Sequence, residues 1–554
     1  MAKQLQKLEL TWIGKGKDPQ LEPRILIEDP TKSYGDPNAE NMLISGDNLL
    51  ALRALEQNYS GKIKCIYIDP PYNTGHAFEH YDDGIEHSLW LNLMKPRLEI
   101  LRNLLSDNGS LWVTLDDNEA HYFKVMCDEI FGRSNFVGTT IWQHSLQSKG
   151  YPGKFSIHHN YTFCYKKSDR FILNSLDRTE EHNKNYSNPD NDPRGLWRSG
   201  DVRNSLVRKN LMYDIKTPSG KIIKHPPKGW RFSKETFEKE LEEGKIFFSE
   251  DETRIIRKIY LDDQDGRVPE TIWFATEVGT TREANAENKI LSPDDPFGTP
   301  KPERLLERIL MLASNEKDLV LDSFLGSGTT AAVAHKMKRK WIGIELGEHA
   351  TTHCLPRLRK VVSGKDKGGI SEALNWKGGG GFKFYTLAPS LIQKDKYGND
   401  IINTAYNANM LAAAMAKQEG FRYLPHESTY WKQGNSTEKD YIFTTTQFVT
   451  VEMLDRLAEE MQPNESLLVC CKGFAAACKA RHSNITIKKI PQMLFGRCEF
   501  GKDDYSFNIV NLPHDENDNT GTDEDEINME ETTGKKSKTK SKKDKDEKSQ
   551  SSLF

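Results

Sequence analysis

The stretch LVLDSFLGSGTTAAVAHKMKRKWIGIEL, residues Leu319 to Leu346, joins two apolar runs through a glycine-rich loop. The loop contains Gly326, Ser327 and Gly328, and residues of helical type follow from Thr329 to Lys338. Glycines let a backbone approach a ligand closely, and the N-terminus of the following helix favours polar or anionic groups. The stretch therefore predicts a strand, a ligand-binding turn, a helix and a second strand.

An acidic residue, Glu345, ends the second of these strands, 23 residues after Asp322. A carboxylate at that place can accept hydrogen bonds from ribose hydroxyls, which indicates a nucleoside-binding half. The spacing Gly326-x-Gly328-x-x-Ala331 also fits the pattern of nicotinamide and flavin enzymes. A third interpretation is a turn that needs glycine only for close packing of helix and strand, and the loop alone does not decide among the three.

Further apolar runs alternate with helical stretches along much of the chain, which predicts a parallel α/β sheet. The strand-like runs are Met42 to Ile44, Ile63 to Ile68, Leu111 to Leu115, Leu319 to Leu321 and Trp341 to Ile344. Charged sequence with glycine and proline interrupts the alternation between about residues 136 and 290. We expect an inserted domain of a different construction there.

The second informative motif, Asp69-Pro70-Pro71-Tyr72, directly follows the apolar run Ile63 to Ile68. The exocyclic amine of a nucleobase is a poor nucleophile until acceptors hold its hydrogens. The Asp69 carboxylate and the Pro70 carbonyl can be those acceptors, and Tyr72 can stack on the base. Prolines stiffen such a corner because they fix φ. The plainer interpretation is a turn that only ends the strand.

Together, the Asp69 motif and the segment from Phe324 to Thr330 resemble the catalytic and cofactor motifs of amino-methylating DNA methyltransferases. Their order along the chain resembles the permuted β group of that family. Thr299-Pro300-Lys301-Pro302 resembles the start of the cofactor half, and the likeness covers roughly residues 40–135 and 295–360. It implies a Rossmann-like α/β fold dependent on S-adenosylmethionine, with a permuted, mostly parallel, doubly wound sheet.

The resemblance also implies roles for individual residues. The catalytic set is Asp69, Pro70, Pro71 and Tyr72. The cofactor-binding set is Asp47, Asp69, Lys301, Pro302, Asp322, Phe324, Gly326, Ser327, Gly328, Thr329 and Glu345, with Asp47 at the adenine, Glu345 at the ribose and Lys301 near the methionine.

Direct transfer from S-adenosylmethionine to the N6 amine of a flipped-out adenine is the implied reaction, without a metal. An aspartate at the first motif position favours adenine in this family, whereas serine is the commoner signature for the cytosine amine. N4-cytosine methylation stays as an alternative, and the Asp69 motif argues against a nicotinamide oxidoreductase, which gives it no role.

The expected insert contains ten lysines or arginines against two acids between residues 194 and 231, interleaved with aromatic residues. Such a segment attracts DNA phosphates, although a solvated charged surface explains any single cation equally well. In the resembling family this insert is the target-recognition domain for double-stranded DNA. The candidate DNA contacts are Arg194, Arg198, Arg203, Arg208 and Lys209.

Size, motif order, the long insert and an extra C-terminal domain together most resemble the modification subunit of a type III restriction-modification system or a close solitary relative of one. That resemblance implies a homodimer and a nuclease-helicase restriction subunit as partner, and the alternative is a DNA-recognition module with little catalysis. The expected parts are an N-terminal extension (1–38), a catalytic half (39–168), the insert (169–294), a cofactor half (295–368), a C-terminal dimer or partner domain (382–512) and a charged tail (513–554). Four glycines at residues 378–381 indicate a flexible joint before the C-terminal domain.

Composition limits the remaining possibilities. The net charge is −4, so DNA binding must come from local basic patches. No apolar run is long enough for a membrane span and the first residues lack a signal-peptide core, so a cytoplasmic location is expected. The eight cysteines lack zinc-site spacing and are expected to be reduced and mostly buried. The tail is expected to be disordered, and neither His76 nor His144 is expected to act in the site.

Overall fold

The strands at the centre of the main sheet of this computed structural model are buried along most of their length. The structure describes residues 9–72, 83–148, 155–264, 266–291 and 295–507, without the side chains of residues 83–86. The charged tail and His76 lie outside these ranges. Within them all five predicted strand segments are confirmed, with small differences at their ends.

The central sheet has 11 strands among the described residues. From edge to edge they are Leu26–Glu28, Gly381–Leu387, Met42–Ser45, Lys340–Glu345, Leu319–Asp322, Ile63–Ile68, Leu105–Leu115, His159–Lys166, Phe136–Gln143 and Ile272–Trp273, with Tyr34–Gly35 paired to Gly381–Leu387. Six neighbouring strands, from Gly381–Leu387 to Leu105–Leu115, run parallel, and His159–Lys166 is antiparallel to both its neighbours. The prediction of a mostly parallel α/β sheet is confirmed.

Helices cover both faces of the sheet because successive side chains of a strand point in opposite directions. In the Ile63–Ile68 strand, Ile66 and Ile68 belong to one buried cluster, and Cys65 and Tyr67 belong to the other. The first cluster includes side chains from the helices Asn48–Tyr59, Asp83–Leu104 and Ala120–Phe131. The second includes side chains from Glu303–Ala313, Thr329–Lys336 and Leu355–Val362. The sheet is therefore doubly wound.

The insert folds around a small core of its own, formed by Ile215, Trp230, Phe237 and Ile246. Its strands are Trp197–Gly200, Ile215–Lys216, Ile222–Ile223, Ile246–Phe248 and Ile255–Tyr260, and its helices are Glu180–Asn183 and Lys234–Glu242. The chain then returns to the central sheet as Ile272–Trp273, parallel to Phe136–Gln143, and continues into the helices Ala275–Val278 and Thr281–Leu291. This returning strand lies within residues 169–294, the range predicted for the insert, so the insert ends before Ile272.

The C-terminal part begins later than the expected boundary at residue 382. The Gly381–Leu387 strand pairs in parallel with Met42–Ser45, and its buried Phe382 and Phe384 pack in the main core. This correction has a simple cause, since the expected joint of glycines leads directly into a sheet strand. The chain beyond contains strands Ile392–Lys394, Asp400–Ile402, Arg422–Tyr423, Gly434–Thr437, Asp440–Val449, Ser466–Phe474 and Ile485–Lys489, and helices Ala408–Gln418 and Val451–Glu460.

Seven of the eight cysteines are buried, and all eight are free thiols. None of the described helices combines the length and the apolar character needed to cross a bilayer. In the described part of the chain, no three His, Cys, Asp or Glu side chains gather as a metal site requires.

Candidate active site at the carboxyl edge of the central sheet

The two predicted motifs emerge from neighbouring strands. Ile63–Ile68 pairs with Leu319–Asp322 in parallel, with Cys65 opposite Val320 and Ile66 opposite Leu321. Parallel strands end at the same edge of a sheet, where ligands of such folds bind. Asp69 and Asp322 therefore lie near each other at this edge of the sheet. Burial raises the pKa of Asp322 to about 7, and the nearby negative charge of Asp69 acts in the same direction.

The Asp69 corner is held by hydrogen bonds from three sides. The Tyr72 hydroxyl donates to Asp69 Oδ1 at 2.8 Å, and the Trp90 indole donates to the Pro71 carbonyl at 2.8 Å. Asn160, on the antiparallel strand, lies with Nδ2 3.5 Å from the Tyr72 hydroxyl oxygen. No described residue donates to the Pro70 carbonyl. This leaves the Pro70 carbonyl as an acceptor at the corner.

Lys301 joins the corner to the cofactor half. Its ammonium forms an ion pair with Asp69 Oδ2 and lies 5.2 Å from the centroid of the Tyr72 ring. Pro302 is the N-cap residue of the Glu303–Ala313 helix, so Lys301 immediately precedes a buried helix. The resemblance placed Lys301 near the methionine, and the structure brings it onto the carboxylate of the catalytic motif.

The glycine loop adopts backbone conformations that favour glycine. Gly326 has a φ of +56° and Gly328 a φ of +82°. A Cβ on Gly326 would lie 3.1 Å from the ring of Phe297, which is tighter than ordinary contact. Asp322 fixes the loop, since its carboxylate accepts from the Phe324 amide at 2.9 Å and from the Thr330 hydroxyl at 2.6 Å.

A buried ionic network supports the loop. Arg357 donates to the Thr329 hydroxyl at 2.8 Å and to Glu303 Oε1 at 2.8 Å. Lys336 donates to the same Glu303 carboxylate at 2.7 and 2.8 Å, and all three charged side chains are at most 3% exposed. The Ser327 hydroxyl hydrogen-bonds that of Thr329 at 2.9 Å. Ser327 and Thr329, predicted as cofactor contacts, therefore have hydroxyls with partners in the protein.

Glu345 lies at the end of its strand, as predicted, and connects to the loop. Its Oε2 accepts from the Gly326 amide at 2.6 Å, while Oε1 lies 3.8 Å from His349 Nδ1. The neighbouring Glu345 carboxylate raises the pKa of His349. Glu345 is thus positioned by one oxygen, and the other can accept from a ribose hydroxyl.

A small cavity of about 30 Å³ lies between Glu345 and Asp47, the residue expected at the adenine. Asp47 is 2% exposed, and both oxygens of its carboxylate accept hydrogen bonds from the protein. Oδ1 accepts from the Leu49 and Leu50 amides and caps the helix, while Oδ2 accepts from the Tyr505 amide at 2.9 Å. The structure places Asp47 at the site, with its carboxylate occupied.

Sequence reasoning missed several residues of this site. Ser323 lines the cavity, and its buried hydroxyl has no hydrogen-bond partner among the described residues. Arg97 Nε donates to Asn48 Oδ1 at 2.5 Å, and its charge lies 3.6 Å from Asp47. Ser323 stands next to a predicted residue in the chain, but no pattern in the sequence distinguishes it. Arg97 lies in a long helix and gives no signal of a site.

The candidate DNA contacts differ in their surroundings. Arg194 bonds Asp192 and the carbonyls of residues 243 and 244, Arg198 donates to Tyr186, and Arg203 makes two hydrogen bonds to Asp201. Arg208 and Lys209 are exposed and have no side-chain partner among the described residues. Beside them lies a concave surface that encloses a volume of about 590 Å³. It is lined by Asp201, Arg203, Asn204, Pro226, Lys228 and Arg231.

Histidines near the corner give no support for an ionic role. Burial, together with His159 and Lys301, lowers the pKa of His144 to about 4, so its ring is neutral at physiological pH. His158 has both ring nitrogens at 2.9 Å from protein oxygens, those of Ser145 and Ser156.

Known proteins are similar to this chain over the region that contains both motifs. A family model described as DNA methylase matches residues 63–354. The probable type III restriction-modification enzyme HindVI Mod subunit of Haemophilus influenzae is 34% identical over 420 residues, 64% of this chain and 55% of that protein. The StyLTI Mod subunit of Salmonella typhimurium is 32% identical, over 53% of this chain and 49% of that protein. The EcoP15I Mod subunit of Escherichia coli is 28% identical, over 71% and 73%. This chain thus spans about half the length of the first two relatives.

Proposed function

The chain belongs to the DNA methylase family, and we propose on that premise that it methylates the N6 amine of adenine in duplex DNA with S-adenosylmethionine. The observation that supports this most is the pairing of the two strands that carry Asp69 and Asp322. It brings an acceptor-rich corner and a glycine loop to one edge of the sheet.

The residues at the loop fit the cofactor. Gly326 and Gly328 lack side chains at the point where the backbone turns into the Thr329–Lys336 helix. Glu345 Oε1 and the unpartnered Ser323 hydroxyl are acceptors beside this turn, suited to the hydroxyls of a nucleoside. When bound, S-adenosylmethionine supplies an electrophilic methyl group on its sulfonium, so the protein needs no covalent intermediate.

The protein's own contribution is to hold the target amine. The Asp69 carboxylate and the Pro70 carbonyl accept hydrogen bonds from the amine, and the ring of Tyr72 stacks on the extruded base. In the structure the Lys301 ammonium is paired with Asp69 Oδ2. It must therefore move away from this oxygen before the amine binds there. A carboxylate of the cofactor's methionine part is a suitable alternative partner for Lys301.

The insert is the part that we assign to the DNA. Arg208, Lys209 and the concave surface around Arg231 carry exposed positive charge that suits a phosphate backbone. The base must leave the helix because the acceptors at Asp69 cannot reach it within a stacked duplex.

We also propose that this chain is the modification subunit of a type III restriction-modification system, acting in the cytoplasm as a homodimer with a restriction subunit. The names of its relatives support the subunit type. The dimer and the partner rest on the family resemblance. Purification with a co-expressed restriction subunit, followed by mass measurement of the complex, tests both.

The test of the activity uses labelled S-adenosylmethionine and unmethylated DNA. Asp69→Asn keeps the shape of the side chain but turns one acceptor into a donor, so we expect methyl transfer to fall by about 10²–10³-fold or more. Asp107→Asn, at an exposed carboxylate paired with Arg170, is the matched control and keeps full activity. Normal methylation by Asp69→Asn would remove the catalytic assignment.

Two further readouts separate the alternatives. Single-molecule sequencing of the product distinguishes N6-methyladenine from N4-methylcytosine. Wild-type protein that binds DNA and S-adenosylmethionine but transfers no methyl group is a recognition module. Binding of NAD in place of S-adenosylmethionine would instead assign the loop to an oxidoreductase.

A further inference from the structure

The segment Asp503 to Ser506, near the end of the described residues, reaches the small cavity between Asp47 and Glu345, which Ser506 lines. We propose that this segment forms one wall of the pocket for the nucleoside part of the cofactor, and that Ser323 binds that nucleoside through its hydroxyl. The proposal rests on the proposed use of S-adenosylmethionine. It gives the C-terminal part of the chain a role in cofactor binding besides any contact with a partner.

Buried groups from the N-terminal extension and from the catalytic half fix this segment. The Tyr505 amide donates to Asp47 Oδ2 at 2.9 Å, and Arg97 donates to the Tyr505 carbonyl at 3.3 Å. Arg24, 4% exposed, pairs with Asp503 at 2.5 Å. These anchors are hundreds of residues away from the segment in sequence. The segment is therefore attached to the wall of the site by specific contacts.

Packing agrees with the hydrogen bonds. The Tyr505 side chain is 2% exposed and belongs to the same buried cluster as Ile44, Ile68 and Leu321 from the central sheet. Its hydroxyl donates to Glu499 at 3.0 Å. Burying an aromatic side chain in this core favours a single position of the backbone beside it. Ser506, the next residue, is thereby placed on the cavity wall.

The hydrogen bonds of Asp47 give it a role other than the expected contact with the adenine. Its carboxylate is taken up by the helix cap and by the Tyr505 amide. Asp47 therefore acts on the nucleoside through the backbone of residues 505 and 506, as a positioning residue.

Ser323 provides an independent indication of a ligand. Its hydroxyl is buried, lines the cavity and has no hydrogen-bond partner among the described residues. Buried hydroxyls are nearly always hydrogen-bonded, so an unpartnered one at a cavity is satisfied by a water molecule or a ligand group that binds there. The cavity of about 30 Å³ admits little more than a water molecule, so a nucleoside requires its wall to shift.

The first test is binding of S-adenosylmethionine and S-adenosylhomocysteine, measured by calorimetry on the full chain. Ser323→Ala should weaken both by about fivefold, as expected for one lost hydrogen bond, without lowering the melting temperature. Ser371→Ala is the matched control, because Ser371 is another buried serine with an unpartnered hydroxyl, away from this cavity. It should bind both compounds as the wild type does.

The second test fills the cavity from the segment. Ser506→Leu should weaken binding of both compounds by more than tenfold, whereas Phe507→Leu, at an exposed neighbour, should not. If Ser506→Leu does not fold, Ser323→Ala still tests the serine contact, and hydrogen exchange of the Tyr505 amide in Asp47→Asn tests the segment. Wild-type binding combined with unchanged affinity in Ser323→Ala and in folded Ser506→Leu overturns the inference. Failure of the wild type to bind either compound instead overturns the proposed function.

The third test addresses Asp47. Asp47→Asn keeps an oxygen for the helix cap but turns a donor toward the Tyr505 amide. Hydrogen exchange of the Tyr505 amide should become faster in the absence of cofactor, and affinity for S-adenosylmethionine should fall. Weaker binding with unchanged exchange would assign Asp47 a direct contact with the adenine and remove the segment from the pocket.

Discussion

The sheet edge around Asp69 and the insert around Arg208 hold their polar side chains in opposite ways. At the edge, Asp322, Glu303 and Glu345 are buried, and each makes hydrogen bonds of 2.6–2.9 Å within the protein. In the insert, Arg208 and Lys209 are exposed and have no side-chain partner among the described residues. Chemistry needs acceptors in fixed places, whereas an encounter with a phosphate backbone needs accessible charge.

We therefore expect that removal of a charged side chain at the sheet edge lowers the free energy of unfolding, whereas removal of one in the insert lowers the affinity for DNA. Removal of one partner from a buried ionic network leaves a charge without compensation. Removal of an exposed cation leaves the fold almost unchanged.

Glu303→Gln should produce the largest loss of stability. Glu303 compensates Arg357, which holds Thr329 in the glycine loop, and it shares the compensation of Lys336, which is 0% exposed, with Asp366. We expect the free energy of unfolding to fall by about 3–5 kcal/mol, measured by urea denaturation. Glu316→Gln, at an exposed ion pair with Lys338, is the control and should cost less than about 1 kcal/mol. Equal effects of the two substitutions would contradict the buried network.

Asp322 predicts a pH dependence of stability at the edge. Burial raises its pKa to about 7 from the usual 3.8, so the folded state keeps a proton that the unfolded chain releases between those values. The contribution of Asp322 to stability is therefore largest below pH 4 and falls as the pH rises to about 7. Asp322→Asn cannot titrate, so the difference in unfolding free energy between variant and wild type should change in favour of the variant from pH 5 to pH 8. A difference independent of pH would show an ordinary pKa at Asp322.

The two regions also differ in how far the sequence predicted them. The strands Ile63–Ile68 and Leu319–Asp322, and the turn at Gly326, follow from short runs of neighbouring residues, and the structure brings them together. The Gly381–Leu387 strand was missed because four glycines resemble a joint and its pairing partner Met42–Ser45 lies over 330 residues away. Local patterns contain no information about such distant partners.

The same limit applies to single site residues. Asp47 was predicted by resemblance at the adenine, but its bond to Tyr505 depends on a contact across 458 positions. Ser323 became visible only through a hydroxyl without a partner. In the insert, the sequence offered five cations of similar standing, and only their neighbours in space separate Arg194 from Arg208.

For the exposed cations of the insert we expect an effect on DNA binding without an effect on stability. The double variant Arg208→Ala, Lys209→Ala should make the dependence of log Kobs on log salt concentration shallower by about 2, since each phosphate contact contributes about 0.9. Its free energy of unfolding should stay within about 0.5 kcal/mol of the wild type. Lys394→Ala with Lys396→Ala removes two charges from the C-terminal part and should leave the salt slope unchanged. An unchanged slope in the Arg208 variant would place the DNA on another surface.

Arg194 gives the smallest and most discriminating effect, because it belongs to the insert by sequence but resembles the edge in its contacts. Its guanidinium bonds Asp192 and two backbone carbonyls and lies 4.6 Å from the centroid of the Tyr260 ring. Lysine keeps the charge but cannot reproduce this planar fork. If Arg194 serves the fold, Arg194→Lys and Arg194→Ala should both lower the free energy of unfolding, by about 1–2 kcal/mol, and leave the salt slope unchanged. If it contacts phosphate, Arg194→Lys should retain DNA binding that Arg194→Ala loses, and the division between the two regions would then not follow from hydrogen bonding alone.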